Sequence, residues 1–154
     1  FTLTGNGINQ PGNYNVKIGT SNVELVEASG GFKDGVKKVI SGGPMMGMAL
    51  STVDIPIVKT SSALTCFMED EVEKYEETAC IRCGKCAQVC PSHVIPQKLM
   101  EAAQHYDMER FTALNGMECC ECGCCTFICP AKRPLTQAFK QMRQAVAAER
   151  RKKK

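Results

Sequence analysis

The sequence predicts an α+β protein in two parts: a small sheet-forming domain over residues 1–66 and a helical, cysteine-rich domain over residues 80–154. Three observations carry this expectation. Short apolar runs alternate with Gly- and Pro-centred turns through the first 66 residues, the pattern of short strands. Ten of the eleven cysteines fall between residues 80 and 129, so the composition changes abruptly along the chain. Apolar residues at helical spacing fill the gap between the cysteine runs and the stretch after them.

In the sheet-forming domain, residues 1–4 (FTLT) alternate as a strand, with a turn at Gly5, Asn6 and Gly7. Pro11, Gly12 and Asn13 predict a second turn, and residues 14–18 (YNVKI) a second strand. Thr20 or Ser21 can N-cap a helix over residues 22–28, whose inner face is Leu25 and Val26. Gly30 and Gly31 follow it where a left-handed C-terminal cap is expected. Residues 36–40 and 55–58 complete the strands, giving a β-grasp-like order. The loop 41–47 (SGGPMMG) has neither a Lys-Ser/Thr pair after its glycines nor a G-x-G-x-x-G pattern, so a phosphate cradle is not expected. It reads as a tight connection with Met45, Met46 and Met48 as adaptable packing, the alternative being a partner-contact surface. Residues 67–79 hold six acids and one lysine and form an acidic linker or helix at the boundary.

In the cysteine-rich domain a single spacing occurs twice. Cys80, Cys83, Cys86 and Cys90, then Pro91, are matched by Cys119, Cys122, Cys125 and Cys129, then Pro130. C-x2-C-x2-C-x3-C-P is the bacterial ferredoxin-type run for 4Fe–4S clusters, and in two-cluster ferredoxins its fourth cysteine ligates the other cluster. Crossed ligation assigns Cys80, Cys83, Cys86 and Cys129 to one cluster. Cys119, Cys122, Cys125 and Cys90 go to the other. The 28 residues between the runs predict two helices. One starts near Pro96 with Leu99, Met100, Ala103 and Tyr106 on one face; the other is capped by Asp107, with Met108, Phe111 and Leu114 inside, and ends at Gly116. Pro134 opens a last helix with Leu135, Phe139, Met142 and Val146 as its apolar stripe. The fold class expected is thus a small β-grasp domain followed by an α-helical two-cluster ferredoxin domain.

Other chemistries fit less well. A disulfide scaffold is disfavoured by the odd cysteine count and the metal-type spacing, which point to a reducing compartment. Zinc ribbons use two C-x2-C pairs per site and have no use for a third cysteine followed by x3-Cys-Pro. Cys66 reads as a core hydrophobe; Cys120 and Cys124 read as small semi-buried residues beside a cluster, with backup ligation as the alternative. His93 and His105 read as structural. No Ser/His/Asp or Cys/His set assembles, so the segment is expected to conduct electrons without breaking a substrate bond. Nine Lys and Arg against one acid over residues 131–154 suggest a solvated helix face or a contact with an anionic membrane surface. No nucleic-acid partner is expected. No apolar run reaches the ~18 residues of a membrane-spanning helix. The chain begins at Phe1 inside a strand-like pattern and reads as the C-terminal part of a longer polypeptide.

The two cysteine runs, CIRCGKCAQVCP over 80–91 and CCECGCCTFICP over 119–130, with the helical insert between them, resemble the C-terminal part of a known family, the C subunits of Rnf electron transport complexes. Residues 39–49 (VISGGPMMGMA) and 54–59 (DIPIVK) are similar to that family's soluble-ligand-binding (SLBB) β-grasp segment. The resemblance implies a peripheral member of an ion-translocating ferredoxin:NAD+ oxidoreductase on the cytoplasmic face of a prokaryotic membrane, partnered by the complex's other subunits. It implies that NADH and FMN bind an upstream part absent from this chain, and that two 4Fe–4S clusters carry electrons onward. A related layout occurs in the cobalamin reductase of diol-degrading microcompartments. A different class, a non-redox binding module with structural clusters, is distinguished by whether the clusters reduce reversibly.

Overall fold

The structure is a computed structural model describing residues 1–152. It divides into two compact units, Phe1–Lys74 and Tyr75–Lys154. The division falls inside the acidic segment, so most of 67–79 belongs to the first unit. Of the helix allowed there, only a 3-10 turn at Glu71–Lys74 forms. Asp70, just before it, is bonded to Lys38 at 2.7 Å, which ties the segment to the sheet.

The first unit is a mixed sheet with one helix. Strands β1 (Thr2–Thr4), β2 (Gly12–Asn13), β3 (Lys38–Ser41), β4 (Met48–Ala49) and β5 (Ala63–Phe67) lie in the order β2-β1-β5-β3-β4. β1 and β5 are parallel, and the other pairs antiparallel. Helix α1 (Asn22–Ala28) is capped by Ser21, whose hydroxyl accepts from the Val23 N–H at 3.1 Å. It seats Val26 against Leu3, Ile8, Leu64 and Cys66. Cys66 is fully buried, as a core hydrophobe should be, and burial pushes its thiol up to about 11.

Several expected elements differ. Residues 14–18 form no strand; Tyr14 is partly buried against the core, but Ile18 is exposed and no residue of the segment is fully buried. The expected turn at Gly12 and Asn13 is instead the edge strand β2. Residues 55–58 carry Pro56, which lacks a ladder donor. They bridge to Ser21 and bond the start of α1, through Asn22 N–H to Ile55 O and Ile57 N–H to Thr20 O. The expected strand over 36–40 forms as β3, starting two residues later and ending one residue later. The central strand β5, buried on both faces at Leu64, Thr65 and Cys66, was not expected. The 41–47 loop is a hairpin connection between β3 and β4, closed by Gly47 N–H to Gly43 O at 2.8 Å. Its Met45 and Met46 side chains and that of Met48 are exposed, so they are not core packing.

The second unit is helical: α2 (Lys85–Gln88), α3 (Pro96–Gln104), α4 (Met108–Ala113), α5 (Cys124–Ile128) and α6 (Leu135–Lys152). Asp107 caps α4 by accepting from the Arg110 N–H at 2.8 Å, and Pro96 occupies the first turn of α3. The α6 stripe Leu135, Phe139, Met142 and Val146 is buried against Leu99, Met100, Ala102 and Phe111. On α3, Ala102 rather than Ala103 is fully buried, and Tyr106 lies beyond the helix end and is exposed. Gly116 abuts the Phe111 ring, where an added Cβ would fall 2.4 Å from a ring carbon.

Candidate metal centre

The two cysteine runs fold alike, residue for residue, at an offset of 39 positions from Cys80 to Cys119. Arg82 and Glu121 both take left-handed backbone, at φ 56 and 57. Gly84 and Gly123 follow, at φ 75 and 84, and each opens a one-turn helix, α2 or α5. After each Cys-Pro the chain turns left-handed again, at His93 and Lys132, both φ 52. In both turns the N–H donates to the carbonyl of the last cysteine of the run at 3.2 Å. The long helices then start at Pro96 and Leu135, again 39 apart. The x2 spacing thus brings three thiols onto one concave side of each turn, and the proline sends the fourth away.

Two hollows result. One is lined by Cys80, Cys83 and Cys86 together with Cys129; the other by Cys119, Cys122 and Cys125 together with Cys90. Including their open mouths they hold about 410 and 300 Å³. α2 packs on α5, which brings the two runs side by side. The first hollow is walled by Gln97, Arg133 and Leu135, the second by Pro96, Thr136 and Phe139, so α3 and α6 each contribute to both. Thr136 locks the second wall: its N–H donates to Thr126 Oγ1 at 2.9 Å, and its hydroxyl lies 3.6 Å from Cys125 Sγ. Arg133 is paired with Glu77 at 3.0 Å and Arg143 with Glu121.

All eleven cysteines are free thiols. Burial holds Cys86, Cys119 and Cys125 above the usual thiol range, and the neighbouring Cys129 and Cys90 thiols add to this at Cys86 and Cys119. Cys122 is pushed up to about 11: a backbone bond with Cys124 opposes the rise, while burial and the Cys124 and Cys120 thiols produce it. Four such thiols must lose protons together to bind metal, which couples loading to pH. Among the described residues no three His, Cys, Asp or Glu side chains gather tightly enough to share one ion. A zinc ion asks for sulfurs about 3.8 Å apart, given Zn–S bonds of about 2.3 Å. A cubane gives each thiolate its own iron and so asks for a wider ring of sulfurs. Four cysteines spread around the first hollow and five around the second, with no disulfide consuming them, fit the cubane.

Cys120 lines the second hollow and is exposed, which corrects the semi-buried packing role expected of it; Cys124 is partly buried. His93 and His105 are exposed and line neither hollow. Sequence reading missed that the 39-residue repeat continues through the turns at His93 and Lys132 into α3 and α6. Beyond the prolines no residue of 92–104 is identical to its counterpart in 131–143, so only the backbone shows this part of the repeat.

Two family models match the chain: an SLBB domain over residues 1–49 and a 4Fe-4S binding domain over residues 73–95. Over 152 residues the chain is 38% identical to the C subunit of the Na(+)-translocating ferredoxin:NAD(+) oxidoreductase complex of Acetobacterium woodii, covering 99% of this chain and 34% of that protein. Identity to the C subunit of the proton-translocating ferredoxin:NAD(+) oxidoreductase complex of Clostridium ljungdahlii is 45% over 98 residues, 64% of this chain and 21% of that protein. Identity to the C subunit of the ion-translocating oxidoreductase complex of Yersinia enterocolitica is 42% over 99 residues, 64% of this chain and 14% of that protein. The chain therefore spans about a third or less of the length of these relatives.

Proposed function

The chain is a homologue of the C subunits of ion-translocating ferredoxin:NAD+ oxidoreductase complexes, matching their C-terminal region, and on that premise we propose that it relays electrons through two 4Fe–4S clusters. The ligands are Cys80, Cys83, Cys86 and Cys129 for one, and Cys119, Cys122, Cys125 and Cys90 for the other. The observation that carries this reading is the composition of the two hollows, each gathering the first three motif thiols of one run and the last thiol of the other, with Cys120 as an additional thiol at the second. When bound, each cluster takes up and passes on one electron at a time.

The protein's own residues do the rest. The left-handed residues Arg82, Gly84, Glu121 and Gly123 turn the thiols inward. Leu135 and Phe139, both buried, keep water from the inner walls. The Glu121 N–H donates to Cys119 Sγ at 3.4 Å and supports its thiolate charge. Exchange of Cys90 and Cys129 between runs makes each site depend on both halves of the unit.

Electrons enter from an NADH- and FMN-binding region that lies outside this chain and leave to other members of the complex, at the cytoplasmic face of the membrane. The parallel pairing of the first and last strands at the centre of the sheet, with α1 against them, supports a β-grasp domain in the first unit. Arg150, Arg151 and Lys152 at the end of α6 suit a peripheral contact with anionic lipid, at about 1 kcal/mol per cation near the surface.

The test is an anaerobic iron and sulfide count with EPR of the reduced protein, in wild type and in Cys90→Ser and Cys129→Ser. About eight irons per chain are expected from eight cysteines in two 4Fe–4S sites. Cys129→Ser should disturb the cluster of the first run and Cys90→Ser that of the second. Colourless protein, or stoichiometric zinc with little iron, would overturn the proposal. Each substitution acting only on its own run would overturn the crossing.

A further inference from the structure

We propose that the two sites are electrically unequal: the site of Cys80, Cys83, Cys86 and Cys129 accepts an electron before the other, so that within this unit electrons move from the second run to the first. This rests on the two-cluster reading above. The 39-residue repeat supplies the comparison, because each position around one hollow has a counterpart with the same backbone around the other. Arg82 corresponds to Glu121, Lys85 to Cys124, and Ala79 to Glu118. These exchanges make the first run more positive than the second; Glu76 and Glu77, whose counterparts are Asn115 and Gly116, act the other way, Glu77 being taken up by its pair with Arg133.

The ion pairs do not cancel the difference. Arg133 at the first hollow is offset by Glu77, and Glu121 at the second by Arg143. Arg82 and Lys85 form no ion pair among the described residues. Arg82 in the wall of the first hollow and Lys85 beside it in the same run are therefore uncompensated, whereas no Lys or Arg lines the second hollow.

Solvation acts in the same direction. Cys80 and Cys83 are exposed, whereas their counterparts Cys119 and Cys122 are partly buried; Cys86 is partly buried, whereas Cys125 is buried. One-electron reduction adds one negative charge to a cluster–thiolate unit. Nearby cations and water stabilise that charge, and burial opposes it. Hydrogen bonds to sulfur act the other way: the Glu121 N–H serves Cys119, the Cys124 N–H Cys122 and the Thr136 hydroxyl Cys125, against the Ala87 and Gln97 N–H groups at Cys86, and the charge and exposure differences must outweigh them.

The experiment is a stepwise anaerobic reductive titration of the full chain followed by EPR. Cys80→Ser and Cys119→Ser, which do not depend on the crossing, assign each signal to its site. The Cys80-sensitive signal should pass half development while the Cys119-sensitive signal is still below half. Arg82→Glu and Lys85→Glu together should shrink the gap or reverse the order, more so at low ionic strength because both side chains are exposed. Glutamate is accommodated in this conformation at the corresponding Glu121, so the exchange leaves the turn intact. Earlier development of the Cys119-sensitive signal, or an order indifferent to the charge reversal, would overturn the inference. Fewer than eight irons in wild type would overturn the two-cluster reading itself, and this inference with it.

Discussion

Replacing Phe139 by Ala should strip the second unit of a large part of its stability and selectively weaken its second site. Phe139 and Phe111 are both fully buried, with ring centroids 6.2 Å apart at an interplanar angle of 50°. Truncating a buried Phe to Ala costs about 3–5 kcal/mol, and a tilted aromatic pair adds about 0.5–1.5 kcal/mol to simple burial. At roughly 0.05–0.15 kcal/mol per residue, a unit this size has only about 4–12 kcal/mol in all. With roughly 4–8 °C lost per kcal/mol for small domains, the melting midpoint should fall by at least about 12 °C. Anaerobic far-UV circular dichroism of Phe139→Ala and Phe111→Ala measures this. The double variant should fall short of the sum by about 1 kcal/mol, because the rings touch. Of the two rings only Phe139 lines a hollow, so Phe139→Ala should also release iron from the second site faster than Phe111→Ala does, and Phe139→Leu should restore retention. Midpoint shifts under about 4 °C, or equal iron loss in both variants, would refute the assignment of Phe139 to core and wall at once.

Two further outcomes concern the first unit. Lys38 beside Asp70 holds the Asp70 carboxyl below the usual carboxylate range, chiefly through their hydrogen bond. A folded-state pKa below the unfolded value gives stability that is present above the unfolded pKa of about 3.9 and is lost as pH falls through the folded one. Asp70→Asn should therefore weaken hydrogen-exchange protection of β3 and β5 at neutral pH by no more than about 1 kcal/mol, and not at all once wild-type Asp70 is protonated. A difference that persists unchanged at the lowest pH would count against the pair. Gly5→Ala places a Cβ 2.0 Å from the Cys66 carbonyl oxygen at φ 105, and Gly31→Ala meets nothing within 4 Å at φ 83. Exchange protection of β5 should collapse in the first and drop by only about 1–2 kcal/mol in the second.

The second unit was more legible in the sequence than the first, for physical reasons. Helical apolar spacing is local, so Leu135, Phe139, Met142 and Val146 could be placed on one face from the chain alone, and Asp107 before Met108 marked a cap. The sheet depended on partners distant in sequence. β5 shows no alternation of burial because Leu64, Thr65 and Cys66 are all buried between β1 and β3, and five residues are too few to carry a period. Residues 55–58 look like a strand by composition, yet Pro56 removes a donor and the segment spends its bonds on the start of α1. At the cysteines, spacing named the ligand candidates, but the exposure of Cys120 and the unequal surroundings of the two hollows depend on how α2, α5 and α6 meet.

The second unit also divides its stability unequally, and this ties the fold to the chemistry. Its buried residues lie mainly on α3, α4 and α6, where Leu99, Phe111, Phe139 and Met142 pack together. α2 buries no residue and α5 buries only Cys125. Helices of four and five residues are far below the length that sustains a helix in water. Without a core of their own, the two turns that carry the ligands must be held by what their sulfurs bind and by the few bonds from Thr136 and Ala131. Binding free energy at the hollows is therefore folding free energy for the ligand turns, while α3, α4 and α6 keep their own. That division suits the proposed relay: the helical frame fixes where the hollows stand, and the thin layer around the first leaves Cys80 and Cys83 exposed at the surface.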